Sequence, residues 1–293
     1  MNKKIIFSTY CHDKYQERFG MNKLVNSFKY FHPDHEIIVY GSKDIDRVYK
    51  EYGVNLSNAL PCLMLDIKRK NNADFICHID ADSLCLSRLD EILECDYEIA
   101  SVRNNCDLHA GDERRNRPKC LWELPNEKYV NCGCISTNSE DFLLKWIKLN
   151  NDITLKYGDI RRFWGTNQNW FWMCDQNWMN YLFHYGNYSS KILDPKGGNL
   201  FYGASANMYK GGKWEYIQTN EDPEHIIKEY GKNGWQSWKE IEYKDGKFWL
   251  YGKQVKLLHM AGGGNSETTK KLSFDMFNLN MIEKLKEITK YNE

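Results

Sequence analysis

The chain has 293 residues, which is enough for one large α/β domain or two smaller ones. Its 40 basic and 40 acidic side chains cancel, and this balance argues against a nucleic-acid-binding protein, which needs a basic face. No apolar run approaches the roughly 18 residues of a membrane helix, and the apolar run at the N-terminus is too short for a signal peptide. We therefore expect a cytoplasmic protein without a transmembrane segment.

The first part of the chain alternates apolar runs with segments of helical spacing. The apolar runs predict strands at residues 4–9, 36–40 and 75–79. Helical spacing of apolar residues predicts helices at residues 15–31, 45–52 and 60–70. The resulting order β-α-β-α-α-β predicts an α/β fold with a parallel sheet and right-handed crossovers.

The rest of the chain mixes strands, helices and polar stretches. Strands are predicted at residues 98–102, 129–136, 192–193 and 255–260, and helices at 89–93, 140–149 and 274–290, with another helix beginning at Asp175. Residues 103–124 are polar and predict a long surface loop, and residues 214–249 have no clear period. Because there is no internal repeat and no low-complexity linker, one continuous domain over residues 1–293 is favoured.

An acidic pair follows the predicted strand at residues 75–79, in the stretch ADFICHIDADSLCL. In an open α/β sheet the carboxyl end of a strand faces the crevice where ligands bind. Asp80 and Asp82 are therefore predicted to share a divalent cation, with a solvated turn as the alternative.

A second polar group follows the predicted strand at residues 255–260. This strand delivers His259 to its end, and Gly262, Gly263 and Gly264 follow at once. Unhindered glycine N–H groups suit phosphate oxygens, and carboxylate with imidazole suits Mn²⁺ or Mg²⁺ held jointly with a diphosphate. A structural histidine and a flexible turn are the alternatives for these two features.

The sequence resembles the GT-A glycosyltransferases, nearest to the retaining glycosyltransferase families 6 and 8. Three stretches carry the resemblance, namely DFICHIDADSLCL, CDQNWMNYLFHYGNYSSKILDP and LLHMAGGGNS. The resemblance implies a GT-A type fold, with a mostly parallel central sheet flanked by helices and a smaller, mixed acceptor-side region. It also implies a nucleotide-sugar-binding half at residues 1–136, and an acceptor-side half with a closing loop at residues 137–293.

The same resemblance implies roles for individual positions. Asp80, Asp82 and His259 would bind the metal, and Asp175 with Gln176 would lie beside the transferred sugar as catalytic residues. The donor nucleotide would contact Thr9, Tyr10, Lys68, Asp80, Ala81, Gly262, Gly263 and Gly264. The donor sugar or the acceptor would contact Asn131, Cys132, Gly133 and Trp172. Cys132 and Cys134 also lie on one face of a predicted strand, where small buried thiols are favoured over a redox or metal pair.

The resemblance implies a metal-dependent transfer of a hexose from a UDP-linked nucleotide sugar to a hydroxyl group of a glycan or another acceptor. Family 8 also has Gln at the position of Gln176, and an amide is a poor nucleophile, so front-face transfer with retention is expected. Two alternatives are a catalytically inactive glycan-binding module on the same fold and a sugar-nucleotide nucleotidyltransferase. The latter normally has a Gly-rich basic loop after its first strand, which STYCHDKYQERFG lacks.

Overall fold

A computed structural model describes most of the chain. The described residues are 3–13, 16, 21–53, 59–103, 128, 130–157, 175–193, 202–203, 214–217, 226–230, 241–250, 253–259 and 279–289. In these parts of the chain every helix is too short or too polar to cross a lipid bilayer.

The core of the fold is a six-stranded sheet with the strand order β2-β1-β3-β6-β5-β7. Its strands are β1 (Ile5–Tyr10), β2 (Glu36–Tyr40), β3 (Phe75–Ile79), β5 (Ile99–Arg103), β6 (Val130–Thr137) and β7 (Ser190–Ile192). Five of them run in one direction, and only β6 runs antiparallel to its neighbours β3 and β5. The prediction of a mostly parallel central sheet is therefore confirmed.

Helices cover both faces of this sheet. One face packs against α2 (Ser42–Tyr52), α3 (Ala59–Lys70), α5 (Glu140–Tyr157) and α6 (Asp175–Tyr185), and the other side carries α1 (Met21–Phe31) and α7 (Leu279–Thr289), while α4 (Asp90–Leu93) is one short turn. Successive side chains of a strand point to opposite faces, so Ile6 belongs to one buried cluster and Phe7 to the other. Burial on both faces explains why β1, β2 and β3 carry runs of consecutive apolar residues.

Three small sheets complete the described fold. β4 (Ser83–Cys85) and β8 (Tyr202–Gly203) flank β14 (Leu257–His259), which is antiparallel to β4 and parallel to β8. β9 (Trp214–Ile217) pairs with β10 (Ile226–Tyr230), and β11 (Glu242–Lys244), β12 (Lys247–Leu250) and β13 (Lys253–Gln254) form an antiparallel meander. The strand predicted at residues 255–260 is therefore shorter in the structure, where it spans Leu257–His259. Residues 214–249, whose sequence has no clear period, contain antiparallel strand pairs.

Helix α5 extends eight residues beyond the end that the sequence predicts. It begins as expected, since the Phe142 N–H donates to the Ser139 hydroxyl at 3.1 Å in an N-cap. It runs to Tyr157 instead of ending at Leu149. The Asn150-Asn151 pair is a weak helix former, but Asn150 is fully buried against the protein, and packing overrides local propensity.

His32, which directly follows α1, is a fully buried histidine of the core. Its ring is stacked on Phe28 with the centroids 4.5 Å apart, and its Nε2 accepts the Leu89 N–H at 2.9 Å. Burial lowers the pKa of His32 from 6.5 to about 4. The unfolded chain therefore binds the proton more readily, and the stabilisation present above pH 6.5 is lost as the pH falls toward 4.

We expect this loss to reach about 3 kcal/mol of unfolding free energy in full. Urea unfolding at a series of pH values between 7 and 4.5 measures it. The control is His32→Gln, whose amide oxygen can accept the same N–H without titrating, and it should flatten this part of the pH profile. An equal slope in both proteins would contradict the assignment to His32.

Candidate active site

The acidic pair lies in a tight turn between β3 and β4. The Ser83 N–H donates to the Asp80 carbonyl oxygen at 3.1 Å across this turn, and the Asp80 N–H donates to the Gly133 carbonyl oxygen at 2.9 Å. The side chain of Asp80 is 33% exposed and that of Asp82 is 14% exposed. Both carboxylates therefore lie at the carboxyl edge of the sheet, where the sequence predicts them.

His259 reaches this edge through the pairing of β14 with β4. The antiparallel register places His259 opposite Ser83, directly after Asp82. Its Nε2 is 3.2 Å from Oδ2 of Asp80 and 3.1 Å from Oδ1 of Asp82. One ligand atom from each of the three side chains lies within 4.8 Å of the others, so the structure brings together the three residues predicted as metal ligands.

The charges of this group are strongly coupled. Burial favours the neutral imidazole, but the carboxylates of Asp82 and Asp80 outweigh it and raise the pKa of His259 to about 10. Burial likewise works against the Asp80 carboxylate, but hydrogen bonds from His259 and His78 hold the pKa of Asp80 well below its usual range. Without a metal ion the positive charge of His259 therefore offsets part of the negative charge of the acidic pair, and a metal ion that binds Nε2 would replace the proton on that atom.

A bulge in β6 brings backbone close to the acidic pair. Ser101 of β5 pairs with Ile135, whereas the next residue, Val102, pairs with Asn131, so β6 carries additional residues between the two pairs. The Ser101 hydroxyl lies 2.6 Å from the Asn131 carbonyl oxygen and 3.0 Å from the Cys134 carbonyl oxygen. This hydroxyl bridges the base of the bulge.

Gly133 is at the centre of this bulge. A Cβ atom at this position would lie 2.6 Å from Oδ2 of Asp80, 2.9 Å from Oδ1 of Asn131 and 3.0 Å from Cε1 of His259. The Gly133 N–H donates to Oδ1 of Asn131 at 2.7 Å. Gly133 and Asn131, which are predicted substrate-contacting residues, therefore lie against the Asp80–Asp82–His259 group.

Two amide side chains of helix α6 form hydrogen bonds with the backbone of β6. Oε1 of Gln176 accepts the Cys132 N–H at 3.1 Å. Asn180 accepts the Val130 N–H and donates to the Val130 carbonyl oxygen, both at 2.8 Å. Helix α6 begins at Asp175 as predicted, but the Asp175 side chain lies outside the described part of the structure. Gln176 therefore lies beside the bulge that carries Gly133.

The residues predicted to contact the nucleotide differ in exposure. Tyr10 ends β1 and is half-buried, whereas Thr9 is buried at 1% exposure. Ala81 is also buried and packs with Cys11 and Met21. Of Thr9, Tyr10 and Ala81, Tyr10 is therefore the residue whose side chain can meet a ligand without rearrangement. Gly262, Gly263, Gly264 and Trp172 lie outside the described residues.

The predicted donor contact of Lys68 needs correction. Its Nζ donates to the carbonyl oxygens of Ala73 and of Asp74, the latter at 2.8 Å, just before β3 begins. Asp80 follows the other end of this strand, about 16 Å away at about 3.3 Å per residue. Lys68 thus ties helix α3 to the amino edge of the sheet and is not part of the site.

His78 is a site residue that is not among those predicted from the sequence. Its Nε2 lies 2.9 Å from Oδ1 of Asp80, and the side chain is 2% exposed. The sequence does contain one indication of this contact. Residues two apart along a strand share a face, and a buried polar side chain needs a hydrogen-bond partner.

No protein-family model matches this chain, and no curated protein sequence matches it significantly. Among solved structures it is similar to the bifunctional glycosyltransferase WbbM, with 13% identity, coverage of 99% of this chain and 50% of that chain, and a TM-score of 0.43. It is also similar to the glycosyltransferase GlyE of Streptococcus pneumoniae TIGR4, with 14% identity, coverage of 67% and 46%, and a TM-score of 0.39.

A third similar structure is the galactosyltransferase LgtC in complex with donor and acceptor sugar analogues. The identity is 11%, the coverage is 97% of this chain and 95% of that chain, and the TM-score is 0.44. The chain thus spans about half the length of the WbbM and GlyE structures and nearly all of the LgtC structure.

Proposed function

We propose that this chain is a metal-dependent glycosyltransferase that moves a hexose from a UDP-linked nucleotide sugar to a hydroxyl group of a glycan or another acceptor, with retention. The observation that carries this proposal is the convergence of Asp80, Asp82 and His259 at the carboxyl edge of β3. The three sequence stretches that resemble the GT-A glycosyltransferases also support it, and two of them contain these three residues.

The donor set fits a divalent cation. Two carboxylate oxygens and one imidazole nitrogen within 4.8 Å of one another suit Mn²⁺ or Mg²⁺. Asp80 is partly exposed, so oxygen atoms of a ligand can approach the group from the solvent side. When bound, the cation would neutralise negative charge that develops on the diphosphate leaving group. Backbone N–H groups of Gly262, Gly263 and Gly264 are proposed to contact the same diphosphate.

The remaining residues are proposed to hold the two sugars. The Asp175 carboxylate would stabilise positive charge at the anomeric carbon as the sugar–phosphate bond breaks. Gln176 is an amide whose Oε1 already accepts the Cys132 N–H, which favours front-face transfer over a covalent intermediate on this side chain. Tyr10 would lie beside the nucleotide base, and Trp172 would pack on the acceptor.

Calorimetric titration of UDP with and without Mn²⁺ tests the proposal. We expect Mn²⁺ to strengthen UDP binding, and we expect metal-dependent hydrolysis of at least one donor in a panel of nucleotide sugars. The same UDP affinity with and without metal would favour a glycan-binding module instead. Formation of a nucleotide sugar from UTP and a sugar 1-phosphate, without sugar transfer, would favour a nucleotidyltransferase.

His259→Ala should weaken metal-linked UDP binding by about 10-fold, since one neutral ligand is lost and both carboxylates remain. The apparent Kd for UDP at saturating Mn²⁺ measures this loss. His35→Ala is a suitable control because His35 precedes β2 at the amino edge of the sheet. If His259→Ala and His35→Ala bind UDP equally well, His259 is not a ligand.

A further inference from the structure

His78 is held in one orientation beside the acidic pair. It lies in β3, two residues before Asp80, and its Nε2 is 2.9 Å from Oδ1 of that carboxylate. The ring of Tyr10, at the end of the adjacent strand β1, lies 5.3 Å from the imidazole at an interplanar angle of 31°. Because the imidazole is almost completely buried, its ring has little freedom to turn away from Asp80.

The two carboxylate oxygens of Asp80 therefore have different surroundings. Oδ1 faces His78, whereas Oδ2 lies 3.2 Å from Nε2 of His259. Oδ2 is also the atom that a Cβ at Gly133 would approach to 2.6 Å. Only Oδ2 is thus directed toward the space shared with Asp82 and His259.

We propose that His78 is a positioning residue, which donates from Nε2–H to Oδ1 of Asp80 and so presents Oδ2 alone to a divalent cation. The inference rests on the proposed function and adds a residue outside the predicted ligand set. Outer hydrogen bonds to a ligating carboxylate fix its orientation before the ion arrives. Without this donor the carboxylate can rotate about its Cβ–Cγ bond, and part of the binding free energy is spent on ordering it.

Two nearly isosteric variants separate the hydrogen bond from the packing. His78→Gln keeps an N–H donor on a side chain of similar reach, and His78→Met keeps the length but has no donor. We expect His78→Met to lower the Mn²⁺ affinity by about 10- to 100-fold and His78→Gln to retain most of it. Calorimetric titration of Mn²⁺ in the presence of UDP gives the affinity, and electron paramagnetic resonance of free Mn²⁺ checks it.

Further measurements distinguish positioning from a general structural role. Thermal unfolding of the metal-free variants should not follow the order of their Mn²⁺ affinities. His78→Gln and His78→Met should differ in Mn²⁺ affinity, because only Gln keeps the donor to Asp80. An equal loss of Mn²⁺ affinity in the two variants would overturn the inference.

The failure of this inference is distinguishable from the failure of the proposed function. If the unmodified protein binds Mn²⁺ and His78→Met binds it equally well, His78 does not position Asp80, and the proposed function stands. If the unmodified protein binds no Mn²⁺ with or without UDP, the proposed function fails and the role of His78 fails with it.

Discussion

Replacing Asp82 with alanine is expected to abolish metal-linked UDP binding while the fold remains intact. Asp82, Asp80 and His259 each offer one ligand atom within 4.8 Å of the others, and the variant deletes a carboxylate ligand from this group. The turn itself is closed by backbone atoms of Asp80 and Ser83, so the sheet does not depend on this carboxylate. We expect a loss of about 100-fold or more in UDP affinity at saturating Mn²⁺, equivalent to roughly 3 kcal/mol.

The matched control is Asp90→Ala, which removes a carboxylate that is exposed at 65% on helix α4. UDP titration with and without Mn²⁺ should give unmodified behaviour for this control. Circular dichroism and thermal unfolding should show both variants folded. Asp82 is not a ligand if its variant keeps the metal-linked affinity. If Asp80→Ala keeps it too, the glycosyltransferase proposal fails.

The part of this site that depends on one strand is readable from the sequence. A mostly apolar run predicts a strand buried on both faces, and every residue of β3 is buried. An acidic pair at the end of this run then falls at the carboxyl edge of the sheet. Asp80 and Asp82 follow from this reasoning because both are adjacent in sequence to the element that positions them.

The parts of the site that depend on strand pairing cannot be predicted from the sequence of one strand. His259 reaches Asp82 because β14 pairs with β4 in one particular register. Apolar periodicity identifies a strand, but it does not identify the partner or the register. The bulge in β6 likewise exists only relative to β5, so the bridging role of Ser101 has no signal in the sequence of either strand.

The topology of the fold argues against the donor contact that the resemblance implies for Lys68. A crossover helix runs antiparallel to the strands it connects, so its last turn lies near the start of the following strand. Lys68 is in the last turn of α3, which directly precedes β3 in the chain. Its ammonium group therefore lies at the amino edge, and Asp80 lies at the carboxyl edge. The right-handed β-α-β order predicts this separation from the order of the elements alone.

Replacing Gly133 with alanine is expected to disrupt the site without any change in its ligands. The new Cβ would approach Oδ2 of Asp80 to 2.6 Å and Cε1 of His259 to 3.0 Å, so one of these side chains must move. The φ angle of Gly133 is not positive, so an alanine here is not strained by a left-handed φ. We expect metal-linked UDP affinity to fall by about 10- to 100-fold, as for other changes that misorient a ligand.

Gly53→Ala is the matched control for this variant because it should lower stability and leave UDP binding unchanged. Gly53 ends helix α2 at a φ of 64°, and a Cβ added to it would meet no atom within 4 Å beyond its chain neighbours. An alanine there should cost about 1 kcal/mol of stability through backbone strain and leave UDP binding unchanged. Urea unfolding and UDP titration on both variants measure the two effects separately. If Gly133→Ala changes only the stability, as Gly53→Ala should, then the contact between the bulge and Asp80 does not shape the site.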